Sequence, residues 1–199
     1  DARSYSYFRY QLHRAMETVL DVHAEVAYDF EQVFGRRYDT FDAYCCDDAE
    51  TVIVMAGSFA TKGKAAVNRW RQQGRRVGLL RPRLIRPQPA VDAVRELSSR
   101  RAVGVIDQNL SPGLGGILYH ELASALATCS QRPNVLRSFV GGLGGKDISQ
   151  AELDHVLHVL TESEPTECPV QTELLFTDED WRQVQQRLAI AGKPVEVGS

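Results

Sequence analysis

The sequence predicts an α/β protein, a mostly parallel sheet with helices on both faces, preceded by a long N-terminal helix. Three observations carry that expectation. Short β-branched and apolar runs alternate with segments of helical periodicity. Gly or Pro punctuates nearly every junction. The first strand-like run, Thr51-Val52-Ile53-Val54-Met55-Ala56, is apolar throughout instead of alternating, as a strand covered on both faces requires.

The elements follow in order. Phe8, Leu12, Ala15, Met16, Val19, Val22, Val26, Phe30 and Val33 recur at three and four residues, one apolar stripe on a helix over 6–34. Gly35 is placed to stop that helix, with Arg36 and Arg37 near the negative end of its dipole. In isolation nothing buries the stripe, so it must lie against its own domain or a neighbour. After the strand at 51–56 comes a helix over 60–73, with Ala60, Ala65, Ala66, Val67 and Trp70 inward. A second strand spans 76–84. Pro87 and Pro89 break it, and Pro89 suits the first turn of a helix through Val91, Val94 and Leu97. Strands at 102–106 and 135–140 flank a glycine-rich loop, 112–116, and a helix over 117–126. A second glycine loop at 141–145 leads to Ser149, which with Glu152 forms a capping-box pattern for a helix over 150–160. Strand–helix alternation at this spacing implies right-handed crossovers. From about residue 162 the pattern lapses into a polar, Pro-bearing stretch. Thr177-Asp178-Glu179-Asp180 then starts a last short helix with Trp181, Val184 and Leu188 on one face. This divides the chain into a helical segment at 1–47, an α/β domain at 48–161 and an extension at 162–199.

Composition narrows the function. With 43% hydrophobic and 25% charged residues the chain is ordinary for a globular protein, and a net charge of −3 argues against nucleic acid as a general partner. Arg69, Arg71, Arg75, Arg76, Arg81, Arg83 and Arg86 read as a solvated helix end and strand edges paired with acids. Cys45, Cys46, Cys129 and Cys168 show no CxxC spacing, which disfavours an internal zinc or iron–sulfur site and points to a reducing, cytoplasmic compartment. The vicinal pair Cys45-Cys46 reads as packing at a strand entry. No apolar run is long enough to cross a bilayer. Opening on Asp1 and entering a helix within a few residues, the chain reads as a segment of something longer.

Motifs for chemistry are thin. In a parallel sheet the loops leaving the C-terminal strand ends face the ligand crevice, which singles out 57–62, 113–116 and 141–145. Neither glycine loop gives GxGxxG. Gly57, Ser58, Thr61 and Lys62 make a weak anion site between a strand and a helix, without the spacing of a P-loop. Asp107 at a strand end is a possible base, yet Asp-x-Asn is also a turn former. His155 and His158 share a helix face at i and i+3, without an acidic partner at matching spacing. These residues describe a scaffold more than a reaction centre.

Several segments together resemble a known family. Phe34-Gly35-Arg36-Arg37-Tyr38, Asp48-Ala49-Glu50, the strand ending Gly57-Ser58, and Gly74 before Val77-Gly78-Leu79-Leu80 occur in this order. So do Arg83-Leu84-Ile85-Arg86-Pro87, Val105-Ile106-Asp107-Gln108-Asn109 and Gly141-Gly142-Leu143-Gly144-Gly145-Lys146-Asp147. In order and spacing they resemble the C-terminal part of the α subunit of the pyruvate:ferredoxin (2-oxoacid:ferredoxin/flavodoxin) oxidoreductases, from about 8 to 152. The last motif leans towards pyruvate over 2-oxoglutarate or branched-chain members. The chain departs from the family at Gln88, where Phe is usual, at Gln108, where Arg is usual, and after Ser58, where a glycine is missing.

The resemblance implies a fold similar to the transketolase C-terminal domain, and no catalytic residue in this chain. Thiamine diphosphate, Mg²⁺ and iron–sulfur clusters are expected in the full enzyme, since neither a GDG…N motif nor cluster cysteines occur here. The implied partners are an N-terminal α-chain domain and β, with possible γ and δ, subunits; ferredoxin and coenzyme A engage through the whole complex. The alternative is an independent α/β regulatory module that binds a small anion or nucleotide.

Overall fold

A computed structural model of the protein describes residues 1–165 and 171–192. Six strands form one sheet in the order β1-β3-β2-β4-β5-β6. Its parallel part is β2 (Thr51–Met55), β3 (Val77–Pro82), β4 (Ala102–Asp107), β5 (Val135–Val140) and β6 (Glu173–Leu174), with β1 (Phe41–Tyr44) antiparallel on the outer side of β3.

Helices cover both faces, because side chains along a strand point alternately up and down. Ile53, Met55, Leu79, Ile106 and Phe139 pack against α3 (Ala60–Gln72) and α6 (Gln150–Glu162). Their neighbours Val52, Val54, Leu80, Val103 and Val105 pack against α4 (Ala90–Leu97) and α5 (Ile117–Ala127). Every residue of β2 and β4 is buried, the consequence of this double cover. On the first face α6 is fastened at both ends. Ser149 and Glu152 form the expected capping box at its start. At its end the Arg101 guanidinium donates to the carbonyls of Leu160, Thr161 and Ser163 at 2.7, 3.0 and 3.1 Å. Arg69 and Trp70 of α3 both donate to Asp154 of α6.

The helix expected over 6–34 is present, begins earlier and is interrupted once. It runs as α1 (Ala2–Glu17) and α2 (Val19–Phe34), with Thr18 between them. Thr18 turns its hydroxyl back onto the Ala15 carbonyl at 2.9 Å and its amide bonds the same oxygen, which tightens one turn without ending the helical path. Gly35 closes α2 as expected, at φ +66°, a conformation in which only glycine rests without strain.

Two strands lie outside the sequence expectations. Strand β1 alternates Phe41 and Ala43 with Asp42 and Tyr44 over four residues, too short to stand out against a loop. Strand β6 lies in the extension and pairs with β5, so the sheet continues past residue 161. Beyond it α7 (Asp178–Ile190) starts in a second capping box, Thr177 with Asp180. The second strand ends at Pro82, two residues sooner than expected, and Pro89 stands at the N-cap of α4, just outside its first turn.

Five of the seven clustered arginines are paired with acids: Arg69 with Asp154, Arg71 with Asp48, Arg76 with Glu50, Arg83 with Asp42 and Arg86 with Glu121. Cys46 is buried among core residues and its thiol donates to the Leu79 carbonyl at 3.3 Å, a packing role. Cys168 lies outside the described residues.

Candidate functional site

From β2 the chain passes to β3 on one side, then crosses back to β4 on the other. The order of strands therefore reverses between β2 and β4, and a crevice opens where the loops leaving them part. It has a volume of about 370 Å³. Ala56 and Gly57 after β2, Gln108 and Asn109 after β4, Arg86 after β3, and Glu121 of α5 bring its polar atoms.

Those polar groups are engaged within the chain. Gln108 Nε2 donates to the Ala56 carbonyl at 3.2 Å and so ties the two lips together. Asp107 is buried, and its carboxylate accepts the amides of Leu118 and Tyr119 at 2.9 and 3.1 Å. Asn109 Oδ1 accepts the amide of Ile117 at 3.2 Å. The first three amides of α5 are thus satisfied by Asp107 and Asn109 reaching across from the end of β4. Gly116, at the N-cap position, has no side chain with which to do so. Burial pushes the Asp107 carboxyl above the usual carboxylate range, while the two amides hold it down. Arg86 makes a two-pronged pair with Glu121 across the mouth.

The four residues expected to hold an anion are divided. Gly57 lines the crevice. Ser58 and Thr61 are exposed at the start of α3, which has no side-chain cap. Lys62 turns away to pair with Asp147 in the loop after β5 and donates to the Ile148 carbonyl at 3.4 Å. The glycine loop at 113–116 is closed by paired Ser111 and Gly115 backbone bonds, and His120 Nε2 lies 2.6 Å from the Leu114 carbonyl. In the second glycine loop Lys146 pairs with Asp180 of α7 and lies 3.9 Å from Glu152 Oε1, so one ammonium serves the capping carboxylates of two helices.

His155 and His158 do not act together. His155 Nε2 pairs with Glu173 of β6 at 2.6 Å, an acid too distant in sequence for spacing to reveal. The described residues contain no group of three or more His, Cys, Asp or Glu placed to hold a metal ion. Nor does the crevice carry a donor set suited to a diphosphate with its magnesium, since its carboxylates are spent on amides and on Arg86. These residues do not fit thiamine diphosphate or an iron–sulfur cluster. No helix of the described residues is long and apolar enough to cross a membrane.

Gln88 and Gln108, two of the three expected departures from the family pattern, differ in kind. Gln108 has its bond across the crevice, whereas Gln88 Nε2 is buried without a hydrogen-bond partner. Gln88 lines a second, larger cavity of about 880 Å³ that α2 shares with β1 and α4. Sequence reasoning missed the reach of Asp107 and Asn109 to α5, although the signal was present: an Asp-x-Asn followed by a helix whose N-cap is glycine.

Comparison with known proteins gives the family. Residues 49–153 match the pyruvate:ferredoxin oxidoreductase core domain II. Pyruvate synthase subunit PorA of Methanothermobacter thermautotrophicus is 32% identical over 157 residues, 79% of this chain and 40% of that protein. The same subunit of Thermotoga maritima is 40% identical over 134 residues, 67% and 34% of the two chains. Ketoisovalerate oxidoreductase subunit VorA of Pyrococcus abyssi is 35% identical over 150 residues, 75% and 38%. The chain spans between 34% and 40% of the length of these relatives. With more than half of its residues matched, from Ala49 to Leu153 and so from β2 into α6, the chain belongs to the family of pyruvate:ferredoxin oxidoreductase core domain II.

Proposed function

We propose that this chain is a scaffold and subunit-interface domain of a pyruvate (2-oxoacid):ferredoxin oxidoreductase and carries no catalytic residue itself. The observation that carries the proposal is how the switch-point crevice spends its polar groups. Asp107, Asn109, Gln108 and Arg86 are each bonded to the chain's own backbone or side chains. A reaction centre keeps at least one such group for substrate. The family match supports the parent enzyme, in which pyruvate is oxidatively decarboxylated to acetyl-coenzyme A and ferredoxin is reduced. Thiamine diphosphate, magnesium and iron–sulfur clusters then belong to the other domains and subunits, as do the sites for coenzyme A and ferredoxin. The segments 1–47, 48–161 and 162–199 serve as a helical arm, the scaffold proper and an extension, in a soluble cytoplasmic complex.

The test is to purify the tagged polypeptide from its native host and assay the eluate for pyruvate- and coenzyme A-dependent viologen reduction. Active material that contains a thiamine-dependent chain supports the assignment; a lone, inactive polypeptide overturns it. In the assembled enzyme Gln108→Ala is expected to leave kcat unchanged. A large loss of kcat at normal assembly would place the crevice in the chemistry.

One observation favours a second reading, a regulatory module for a small anion. Helix α3 starts without a side-chain cap beside Gly57, Ser58 and Thr61, while Lys62, held by Asp147 and the Ile148 carbonyl, follows directly. Saturable binding of inorganic phosphate, lost in Lys62→Met, would bring that reading forward.

A further inference from the structure

The rod formed by α1 and α2 has two apolar faces. One, through Leu20, His23 and Ala27, is buried or half-buried and turned towards β1 and α4, with which Leu20 and His23 line a common cavity. The other stands in solvent, where Tyr5, Phe8, Leu12, Val22, Val26 and Val33 are between 52% and 73% exposed.

The exposed face follows a strict repeat. Tyr5, Leu12, Val19, Val26 and Val33 recur every seven residues, and Phe8, Ala15 and Val22 follow the first three of them by three residues. These are the a and d positions of a coiled-coil seam, a pattern distinct from the face that meets the sheet domain. The a positions stay apolar through both sixteen-residue helices and the d positions as far as Val22, after which Asp29 takes the next one; at 1.5 Å per residue the rod is about 50 Å long. A seam of that length with large exposed residues at most of its levels is built to be covered by another helix.

Charge selects the occupant. Helix α1 bears Arg3, Arg9 and Arg14 against a single Glu17. Helix α2 bears Asp21, Glu25, Asp29 and Glu31 and neither Lys nor Arg. The rod therefore has a basic half and an acidic half. A parallel pair would stack the acids of α2 on their own counterparts and bring two Asp29 side chains to one level. An antiparallel pair lays each acidic half along a basic half, twice over by the twofold axis.

We propose that the N-terminal rod pairs with the same rod of a second copy of this chain as an antiparallel coiled coil. In the register that matches a to d positions, Leu12 meets Val22 of the second copy, Phe8 meets Val26 and Ala15 meets Val19. The axis then crosses each rod at Glu17, Thr18 lies within a turn of its own counterpart, and Tyr5 meets Asp29. This goes beyond the oxidoreductase assignment and does not depend on it.

Light scattering on the 199-residue chain at tens of micromolar reads the proposal, and a mass twice the 22.2 kDa of one chain is expected. The double variant L12E/V22E changes two exposed positions, so it keeps its circular dichroism and becomes monomeric. For orientation, Thr18→Cys is expected to give a covalent dimer on mild oxidation that the parent chain does not give. Phe8→Cys alone gives none, while a mixture of Phe8→Cys and Val26→Cys does. A folded parent chain that stays monomeric overturns the proposal, as does a dimer indifferent to L12E/V22E. Self-cross-linking of Phe8→Cys would show a parallel pair and overturn it too. Copurification with other subunits reads the enzyme assignment separately from the mass of the isolated chain, so either can fail alone.

Discussion

The carboxylate of Asp107 occupies the space that a side chain on Gly116 would need. A Cβ built on Gly116 overlaps the carboxyl group, and its nearest neighbours are all atoms of Asp107. The backbone of Gly116 is extended and open to any residue (φ −74°, ψ 134°), so the requirement for glycine here is steric. Asp107 cannot withdraw without abandoning the amides of Leu118 and Tyr119. Gly116→Ala is therefore expected to cost about 2–3 kcal/mol in urea unfolding, from overpacking together with a disturbed buried hydrogen bond. In a double-mutant cycle with Asp107→Gly the two costs should fall well short of additive, because the second change removes the atoms the first collides with.

The pairing of Asp180 with Lys146 fixes a pH window for the docking of α7. The hydrogen bond from Lys146, then that from Thr177, lowers the Asp180 carboxyl from 3.8 to about 2. A folded-state value below the unfolded one means that the stabilisation is complete above about pH 4. It is lost as pH falls through about 2. Trp181 sits edge-on to Phe176 at 5.2 Å and reports on that helix. Its indole proton resonance is expected to hold steady down to pH 4 and to shift below it. In Lys146→Met the shift should begin at higher pH. A resonance that moves between pH 7 and 5 in the parent chain would contradict the assignment.

Cys46 should be the slowest thiol to alkylate among Cys45, Cys46 and Cys129. Burial pushes it up to about 11, against a reference of 9.0, so at pH 8 almost none is thiolate. Its neighbour Cys45 is only half-buried. Iodoacetamide labelling with peptide mapping is expected to mark Cys45 and Cys129 well before Cys46, with all three equal in denaturant. Early labelling of Cys46 in the folded chain would show that the strand entry opens.

Gln88 offers a stabilising change. Its Nε2 is buried with no hydrogen-bond partner, and such a group costs about 1–3 kcal/mol. Gln88→Phe restores the residue usual in the family and fills part of the cavity beneath α2 with apolar surface. A gain of about 1–2 kcal/mol in unfolding free energy is expected. An unchanged or lower stability would mean that water satisfies the amide.

What the sequence made legible follows from range. Strands β2 to β5 and helices α3 to α6 announce themselves because each is written in its own residues: fully apolar runs, helical spacing, Gly and Pro at the ends. The Ser149–Glu152 and Thr177–Asp180 caps act over three residues and were visible for the same reason. Strand β1 was invisible because four residues with two polar side chains become a strand only through pairing with β3, about forty residues further on. The interruption at Thr18 turns on one hydroxyl choosing the Ala15 carbonyl, which no periodicity records. At the crevice the glycines were legible, but the partners that close it were not. Lys62 was read as free for an anion because Asp147 stands 85 residues away. Asp107 was read as a base or a turn former because the amides it serves belong to the next helix.

Strand β6 changes where this domain can be cut. Although only two residues long, it covers the outer edge of β5 at Phe139 and Val140, and the Leu175 amide adds a bond to the Val140 carbonyl at 2.8 Å. Leu175 itself is buried, and Thr172 donates to Ser138 on the same edge. A polypeptide trimmed after α6 would keep all four central strands and both helix layers, and would still look complete in outline. It would also bare the outer edge of β5 at Phe139 and Val140, lengthening the unpaired edge on which another chain can pair. The short tail strand thus works as a selvedge, finishing the cloth so that it does not catch on the next piece.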